Sequence, residues 1–202
     1  LRCVWFKQTK SEEFMSINIT FLRHGQTDSN KRGTFTGHMN PPLNEEGKKE
    51  VQQVAQLLKD DRFDAVVFGK TLRVMQTAQI VMEALESKPK IILQKEEITE
   101  INFGLWEGMT ADEIEQKYPA EWKAYMNDWL GFVYPEGEST VAFAAKCNHF
   151  IKNIVLEYDN NNLLIIAHKG FVLACMVALT TGNLDDMFRI DIKNAQAITI
   201  RV

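Results

Sequence analysis

The sequence predicts an α/β fold: a three-layer sandwich with a mostly parallel sheet, helices on both of its faces and a small helical insertion. Two observations predict this fold. Short, nearly continuous apolar segments end abruptly at polar or glycine residues, which is typical of strands buried on both faces. Segments with a helical spacing of apolar residues alternate with them. The chain has 202 residues, 45% of them hydrophobic and 25% charged, which is typical of one globular domain.

Five apolar segments are the predicted strands. They are Ile17–Leu22, Phe63–Phe68, Ile91–Leu93, Leu163–Ala167 and Ala197–Val202. In parallel α/β sheets, ligands bind beyond the carboxyl ends of the strands. Three of the predicted ends are followed by basic side chains, namely Arg23-His24, Lys70 with Arg73 nearby, and His168-Lys169. We therefore expect a ligand site at these strand ends.

The predicted helices lie between the strands. Asn44 is the expected N-cap of the first, with two glutamates in its first turn and apolar residues on one face as far as Leu58. The other helical segments are Leu72–Leu85, Phe143–Leu156 and Phe171–Leu179. Residues 109–130 are expected to form a helical insertion. Residues 1–14 are interpreted as an N-terminal extension that need not be native, with the domain spanning residues 15–202.

Charge and cysteine content narrow the class of protein. Lys and Arg number 23 against 27 Asp and Glu, a net charge of −4, so no general field attracts nucleic acid or an anionic membrane. No apolar segment is long enough to cross a bilayer. The three cysteines are far apart, which predicts neither a disulfide framework nor a thiolate metal site. We therefore expect a cytoplasmic protein, either monomer or dimer, that binds a small ligand.

Common cofactor and metal motifs do not match. Gly69-Lys70-Thr71 resembles the end of a P-loop, but Asp64 stands where the motif requires its first glycine. A G-x-G-x-x-G motif is absent, and the four histidines lack zinc-binding spacing. Arg23 and Lys169, beside two of the histidines, disfavour a divalent cation. The sequence thus predicts neither a cofactor nor a metal site.

The segment Leu22–Thr27 points to chemistry at phosphorus. A histidine ring nitrogen can attack a phosphoryl group and form phosphohistidine, which divides one displacement into two. Without a metal ion, fixed cations must hold the phosphoryl oxygens, and the planar, always charged arginine suits this. Arg23 and Arg73 are candidates, and Gly25 allows close approach to the ring of His24. Taken alone, however, an Arg-His-Gly tripeptide more often marks a histidine packed in a loop.

Six segments in order strengthen this interpretation. They are Leu22–Thr27 with Asn30, Thr36-Gly37 with Pro42–Gly47, Arg73–Ala78, Glu100–Gly108, Pro135–Ser139 and Ala167-His168. From about Ile17 to the C-terminus the chain resembles the histidine phosphatase superfamily, which is the phosphoglycerate-mutase-like group. Within it, the chain resembles the compact phosphatase branch of alpha-ribazole phosphatases and broad-specificity phosphatases.

The resemblance implies a role for each matching residue. His24 would be the nucleophile, and Glu100 would be the general acid that protonates the leaving group and then activates water. The phosphoryl oxygens would be held by Arg23, Arg73 and His168. Hydrogen bonds to the substrate would come from Asn30, Thr36 and Gly37. On the residues alone, Glu97 and Glu107 remain alternatives to Glu100.

The chain departs from the family pattern near the expected site. Gly69-Lys70 stands where Ser-Pro is usual, and Lys169 stands where glycine commonly follows the second histidine. Two interpretations of the extra lysines, Lys70 and Lys169, stay open: they extend the positive field toward a second anionic group of the substrate, or they fill the pocket or point away from it. We expect Lys169 to bind substrate. On the first interpretation, Lys169→Ala raises KM more for polyanionic esters than for esters with a neutral leaving group.

The expected function is metal-independent hydrolysis of small phosphate monoesters through a phosphohistidine intermediate. One alternative is a cofactor-dependent phosphoglycerate mutase, although the short separation between Glu100 and His168 favours the compact phosphatases. The other alternative is a member of the family that binds a phosphorylated ligand without turnover. A complete set of expected catalytic residues argues against that alternative.

Overall fold

The computed structural model describes residues 17–158 and 161–202, and the side chain of Phe188 is outside this description. The extension predicted for residues 1–14, like Met15, lies outside the described residues. In chain order the elements are β1 (Asn18–Arg23), α1 (Asp28–Arg32), α2 (Glu45–Leu58), β2 (Ala65–Phe68), α3 (Leu72–Ala84), β3 (Ile91–Gln94), a 3-10 helix (Gly104–Trp106), α4 (Ala111–Lys117), α5 (Pro119–Asn127), α6 (Thr140–Glu157), β4 (Asn162–Ala167), α7 (Lys169–Leu179), a second 3-10 helix (Leu184–Phe188) and β5 (Ala197–Arg201).

The five strands form one sheet in the order β3-β2-β4-β1-β5. Strands β1 to β4 are parallel to their neighbours, and only β5 is antiparallel, paired with β1. The predicted mostly parallel α/β sheet is therefore confirmed. Because β2, β4 and β1 are adjacent and parallel, their carboxyl ends lie together at one edge of the sheet.

Helices cover both faces of the sheet. Phe21 and Ile165 belong to the core shared with α6 and α7, whereas Leu22 and Ile166 belong to the core shared with α2 and α3. This alternation follows from the strand geometry, in which successive side chains point to opposite faces. The fold is thus a three-layer sandwich whose central strands have no solvent-facing side.

Two sequence predictions about helices are confirmed. Asn44 caps α2, where its Oδ1 accepts a hydrogen bond of 2.8 Å from the backbone N–H of Gly47. The helical region predicted over residues 109–130 consists of α4 and α5, and the Thr110 side chain caps α4. Trp122 and Tyr125 of α5 pack against Trp106, which is fully buried, with ring centroids 5.7 and 5.5 Å from that of Trp106.

Burial of β3 on both faces is a prediction that the structure contradicts. Ile91 and Ile92 are 39% and 54% exposed, because β3 lies at the edge of the sheet, beyond the helices that cover the centre. The short helix α1 was not predicted, since its five polar residues carry no apolar periodicity. Within residues 17–158 and 161–202, no helix combines the length and apolar character needed to span a membrane.

Candidate active site

Two histidines meet where β1 and β4 end. Arg23 pairs with Ala167 in the parallel register, so the next residues, His24 and His168, leave the sheet side by side. Their ring centroids are 5.4 Å apart and the rings are inclined by 69°. Both side chains are buried. The sheet register alone therefore brings together residues that are far apart in the sequence.

The environment of His24 determines which ring nitrogen is free. Its Nδ1 lies 2.7 Å from the carbonyl oxygen of Gly25. Because a carbonyl can only accept, this contact assigns the proton to Nδ1 and leaves a lone pair on Nε2. Burial, assisted by the charge of Arg73, lowers the pKa of His24 to about 3. The ring is thus neutral at neutral pH, with a free lone pair on Nε2.

Arg73 lies buried in the first turn of α3 and fastens a loop to the site. Its Nη1 donates to the carbonyl of Met39 over 2.6 Å, and its Nη2 donates to the carbonyl of Gly37 over 2.9 Å. Burial lowers the pKa of Arg73 to about 10, so the side chain stays charged at neutral pH. The two bonds use two of five N–H donors, and Nε has no protein partner among the described residues.

Arg23, the residue before His24, is partly buried. Its Nη1 donates to the carbonyl of Ile192 over 2.7 Å, and within the described part of the chain its Nε has no protein partner. Burial lowers the pKa of Arg23, while the charges of Glu100 and Asp191 act in the opposite direction. Arg23 and Arg73 thus keep N–H donors in the neighbourhood of the His24 ring, as binding of a phosphoryl group requires.

Glu100 is the last member of a group that we call the central residues, which also comprises His24, His168, Arg23 and Arg73. Its Oε2 accepts a hydrogen bond of 3.1 Å from the N–H of Gly170, and its Oε1 accepts one of 3.1 Å from the N–H of Ile101. Loss of hydration raises the pKa of Glu100, although these bonds and the two arginines oppose the shift. A side chain on Gly170 would collide with the carboxylate, so glycine at this position permits the close approach.

The predicted binding residues occupy different places around this centre. Gly37 contacts Arg73 through its carbonyl. The side-chain oxygen of Asn30, Oδ1, accepts hydrogen bonds from the backbone N–H of Thr27 and from the side chain of Asn194. Asn194 also donates to the backbone carbonyl of His24 over 3.2 Å. Asn30 is therefore connected to the site through Asn194. The hydroxyl of Thr36 donates to the Thr34 carbonyl at 3.4 Å, without a bond to the central residues.

His38 and Glu107 also lie at the site. The sequence analysis did not assign His38 to it, and it named Glu107 only as an alternative to Glu100 for the acid. His38 Nε2 lies 3.1 Å from the carbonyl oxygen of Glu100. The carboxylate of Glu107 accepts from the backbone N–H groups of His38 and Met39, at 2.8 and 3.1 Å. Glu107 thus holds the loop that Arg73 binds from the other side. Neither contact has a sequence signal, because both depend on the conformation of this loop.

A cavity of about 310 Å³ opens beside Glu100, and we call it the Glu100 cavity. Most of its wall is aromatic or aliphatic, from Phe35, Phe103, Tyr125, Trp129, Tyr134, Phe143, Leu173, Met187 and Ile190. Its charged lining residues are Glu100, Lys169 and Asp191. The carboxyl group of Glu100 thus lies between the two arginines, Arg23 and Arg73, and the mostly apolar Glu100 cavity.

Metal-ligating residues are not clustered in the described structure: residues 17–158 and 161–202 hold no group of three or more His, Cys, Asp or Glu side chains arranged to bind a metal ion. The lysine of the P-loop-like segment, Lys70, forms an ion pair with Glu96. Lys169 forms one with Asp191 over 2.7 Å. Both lysines that depart from the family pattern therefore have carboxylate partners.

A family model for the histidine phosphatase superfamily (branch 1) matches residues 19–202. The chain belongs to this superfamily. It is 32% identical over 162 residues to the adenosylcobalamin/alpha-ribazole phosphatase of Salmonella typhimurium, covering 80% of this chain and 78% of that one. It is 27% identical over 179 residues to a 2,3-bisphosphoglycerate-dependent phosphoglycerate mutase of Bartonella henselae, covering 86% of each. The superfamily predicted from the sequence motifs is thus confirmed.

The fold comparison agrees with the family. The crystal structure of the alpha-ribazole phosphatase from Shigella flexneri matches with a TM-score of 0.82 at 25% identity, covering 90% of this chain and 89% of that one. Since members of the superfamily similar to this chain are phosphatases or mutases, an enzyme acting on phosphorylated substrates is supported.

Proposed function

We propose that this protein hydrolyses small phosphate monoesters through a phosphohistidine formed on His24. The observation that carries the proposal is the bond between His24 Nδ1 and the Gly25 carbonyl, beside two arginines and a second buried histidine. That bond leaves Nε2 as the nucleophilic atom, and the arginines stabilise charge on the phosphoryl oxygens as the transition state forms.

In the first step, Nε2 of His24 forms a bond to phosphorus as the bond from phosphorus to the leaving oxygen breaks. Glu100, protonated, transfers its proton to the leaving alkoxide. The raised pKa of Glu100 favours the protonated acid that this step needs. The Glu100 cavity adjoins this carboxyl group and would accommodate the leaving group.

In the second step, the Glu100 carboxylate takes a proton from water, and the water oxygen bonds to phosphorus. The bond to Nε2 breaks, phosphate is released, and the enzyme returns to its starting protonation state. In both steps the phosphoryl oxygens are held by Arg23, Arg73 and His168. The loop that contains Thr36 and Gly37 borders the phosphate-binding side of the site. No step requires a metal ion.

A phosphoglycerate mutase is the second candidate, because a mutase is among the similar proteins. A mutase returns the phosphoryl group to an acceptor instead of releasing it to water. The two functions differ in the second step only, so the first step and its residues are common to both.

One experiment separates the candidates. The protein and its His24→Ala variant are incubated in EDTA with p-nitrophenyl phosphate and, separately, with 3-phosphoglycerate. Phosphate release that persists in EDTA and requires His24 supports the phosphatase. Interconversion of phosphoglycerates that needs a bisphosphate primer supports the mutase. Binding of the esters without either reaction, or loss of activity in EDTA, contradicts the proposal.

A further inference from the structure

The rim of the Glu100 cavity carries an ion pair formed between distant segments. Lys169 is the first residue of α7, and Asp191 lies between the second 3-10 helix and β5. Lys169 Nζ is 2.7 Å from Asp191 Oδ1, and the two side chains are 41% and 74% exposed. Both residues line the cavity. A leaving group in the cavity would therefore contact this pair.

Asp191 is held in this place by its neighbour in the chain. The carbonyl of the next residue, the buried Ile192, accepts a 2.7 Å hydrogen bond from Nη1 of Arg23. The segment that carries Asp191 is thus attached to an arginine of the phosphate site. The hydrogen bond from Lys169 and its charge lower the pKa of Asp191, and Arg23 and Lys193 add to this effect. Asp191 is therefore a carboxylate at neutral pH.

The ion pair changes what Lys169 can do. An unpaired lysine at this rim would attract a second anionic group of a substrate. Asp191 compensates that charge, and among the described residues that line the cavity Lys169 is the only cation. The remaining charged lining group, Glu100, is itself a carboxyl. A leaving group with a negative charge would thus face two carboxyl groups and one neutralised lysine.

We propose that Asp191 is a specificity determinant. Its ion pair with Lys169 cancels the attraction that Lys169 would exert on a second negative charge of the leaving group, so the cavity favours esters with an uncharged leaving group. Uncharged leaving groups with an aromatic or aliphatic body fit the apolar wall of the cavity. This inference rests on the proposed phosphatase function and replaces the expectation that Lys169 recruits polyanionic substrates.

The test compares two esters of nearly equal shape, 4-carbamoylphenyl phosphate and 4-carboxyphenyl phosphate. The measured quantity is the ratio of kcat/KM for the neutral ester to kcat/KM for the anionic ester. We expect wild type to favour the neutral ester. Asp191→Asn frees Lys169 and lowers the ratio by about tenfold, the effect of one charge a few ångströms away in a partly solvated site. Lys169→Met leaves Asp191 uncompensated and raises the ratio.

The matched control is Glu86→Gln, which removes one carboxylate from the exposed Lys59–Glu86 pair on another part of the surface. It is expected to leave the ratio unchanged. The double variant Lys169→Met with Asp191→Asn should return the ratio toward that of wild type. Opposite shifts in the two single variants distinguish a charge effect from loss of folding, which would lower kcat/KM for both esters together.

Three results would overturn the inference. They are equal use of both esters by wild type, a ratio in Asp191→Asn no different from that in Glu86→Gln, and equal shifts in the two single variants. Failure of the proposed function is a separate result, because neither ester would then be hydrolysed in a way that depends on His24.

Discussion

Replacing His24 by glutamine is expected to make the folded protein less sensitive to acid. The pKa of His24 in the folded protein is about 3, whereas an unfolded histidine has a pKa of about 6.5. As pH falls below 6.5, the unfolded chain takes up the proton first, so stability is lost between pH 6.5 and pH 3. Between pH 7 and pH 5 the loss due to His24 is about 2 kcal/mol.

Urea unfolding, followed by tryptophan fluorescence at pH 7 and at pH 5, measures this loss. Wild type should lose about 2 kcal/mol more than His24→Gln between the two pH values, because His168 remains in both proteins. The control is His149→Gln, which replaces an exposed histidine on α6 and keeps His24. Equal losses in wild type and His24→Gln would refute the buried, neutral imidazole that the proposed nucleophilic attack requires.

Three further predictions concern the acid, the aromatic core and the phosphate loop. Glu100→Gln should lower kcat by roughly 10²- to 10⁴-fold for alkyl phosphates. The first step with p-nitrophenyl phosphate should slow much less, because its leaving group needs no proton. Steady-state kinetics measure the loss for the alkyl esters and burst kinetics the loss for p-nitrophenyl phosphate, and equal losses would contradict the role of Glu100 as an acid. Trp106→Ala should destabilise the fold by about 3–5 kcal/mol, as thermal and urea unfolding would measure, and a loss below about 1 kcal/mol would contradict its place in the core. Gly37→Ala should raise KM for phosphate esters, because the φ of +49° and the neighbouring Glu107 carboxylate leave no room for a Cβ; an unchanged KM would contradict the role of this loop.

The meeting of Arg23, His24 and His168 could be predicted from the sequence. Apolar segments that end at basic residues indicate strand ends, and neighbouring parallel strands place those ends together. The position of Arg73 could be predicted by the same reasoning, because its helix, α3, begins after a short turn at the end of β2. The capping of α2 by Asn44 depends only on local sequence, and it too was predicted.

Contacts between loops could not be predicted in this way. Glu100 could not be separated from Glu97 and Glu107 by composition, since all three are glutamates between β3 and α4. Only the path of the backbone brings one of them to Gly170. The pairing of Lys169 with Asp191 joins residues 22 positions apart through an irregular segment, for which no periodicity exists. The expectation that Lys169 attracts a second anionic group therefore did not include Asp191, whose carboxylate compensates the charge of the lysine.

Trapping of the phosphorylated enzyme tests the central claim most directly. Wild type, His24→Ala and Glu100→Gln are mixed with p-nitrophenyl phosphate in EDTA, quenched in alkali to preserve phosphohistidine, and analysed by intact mass and peptide mapping. The account predicts one added phosphoryl group on His24, accumulating in Glu100→Gln, where the activation of water is impaired, and absent from His24→Ala. A phosphoryl group on another residue, or full turnover by His24→Ala, would contradict it.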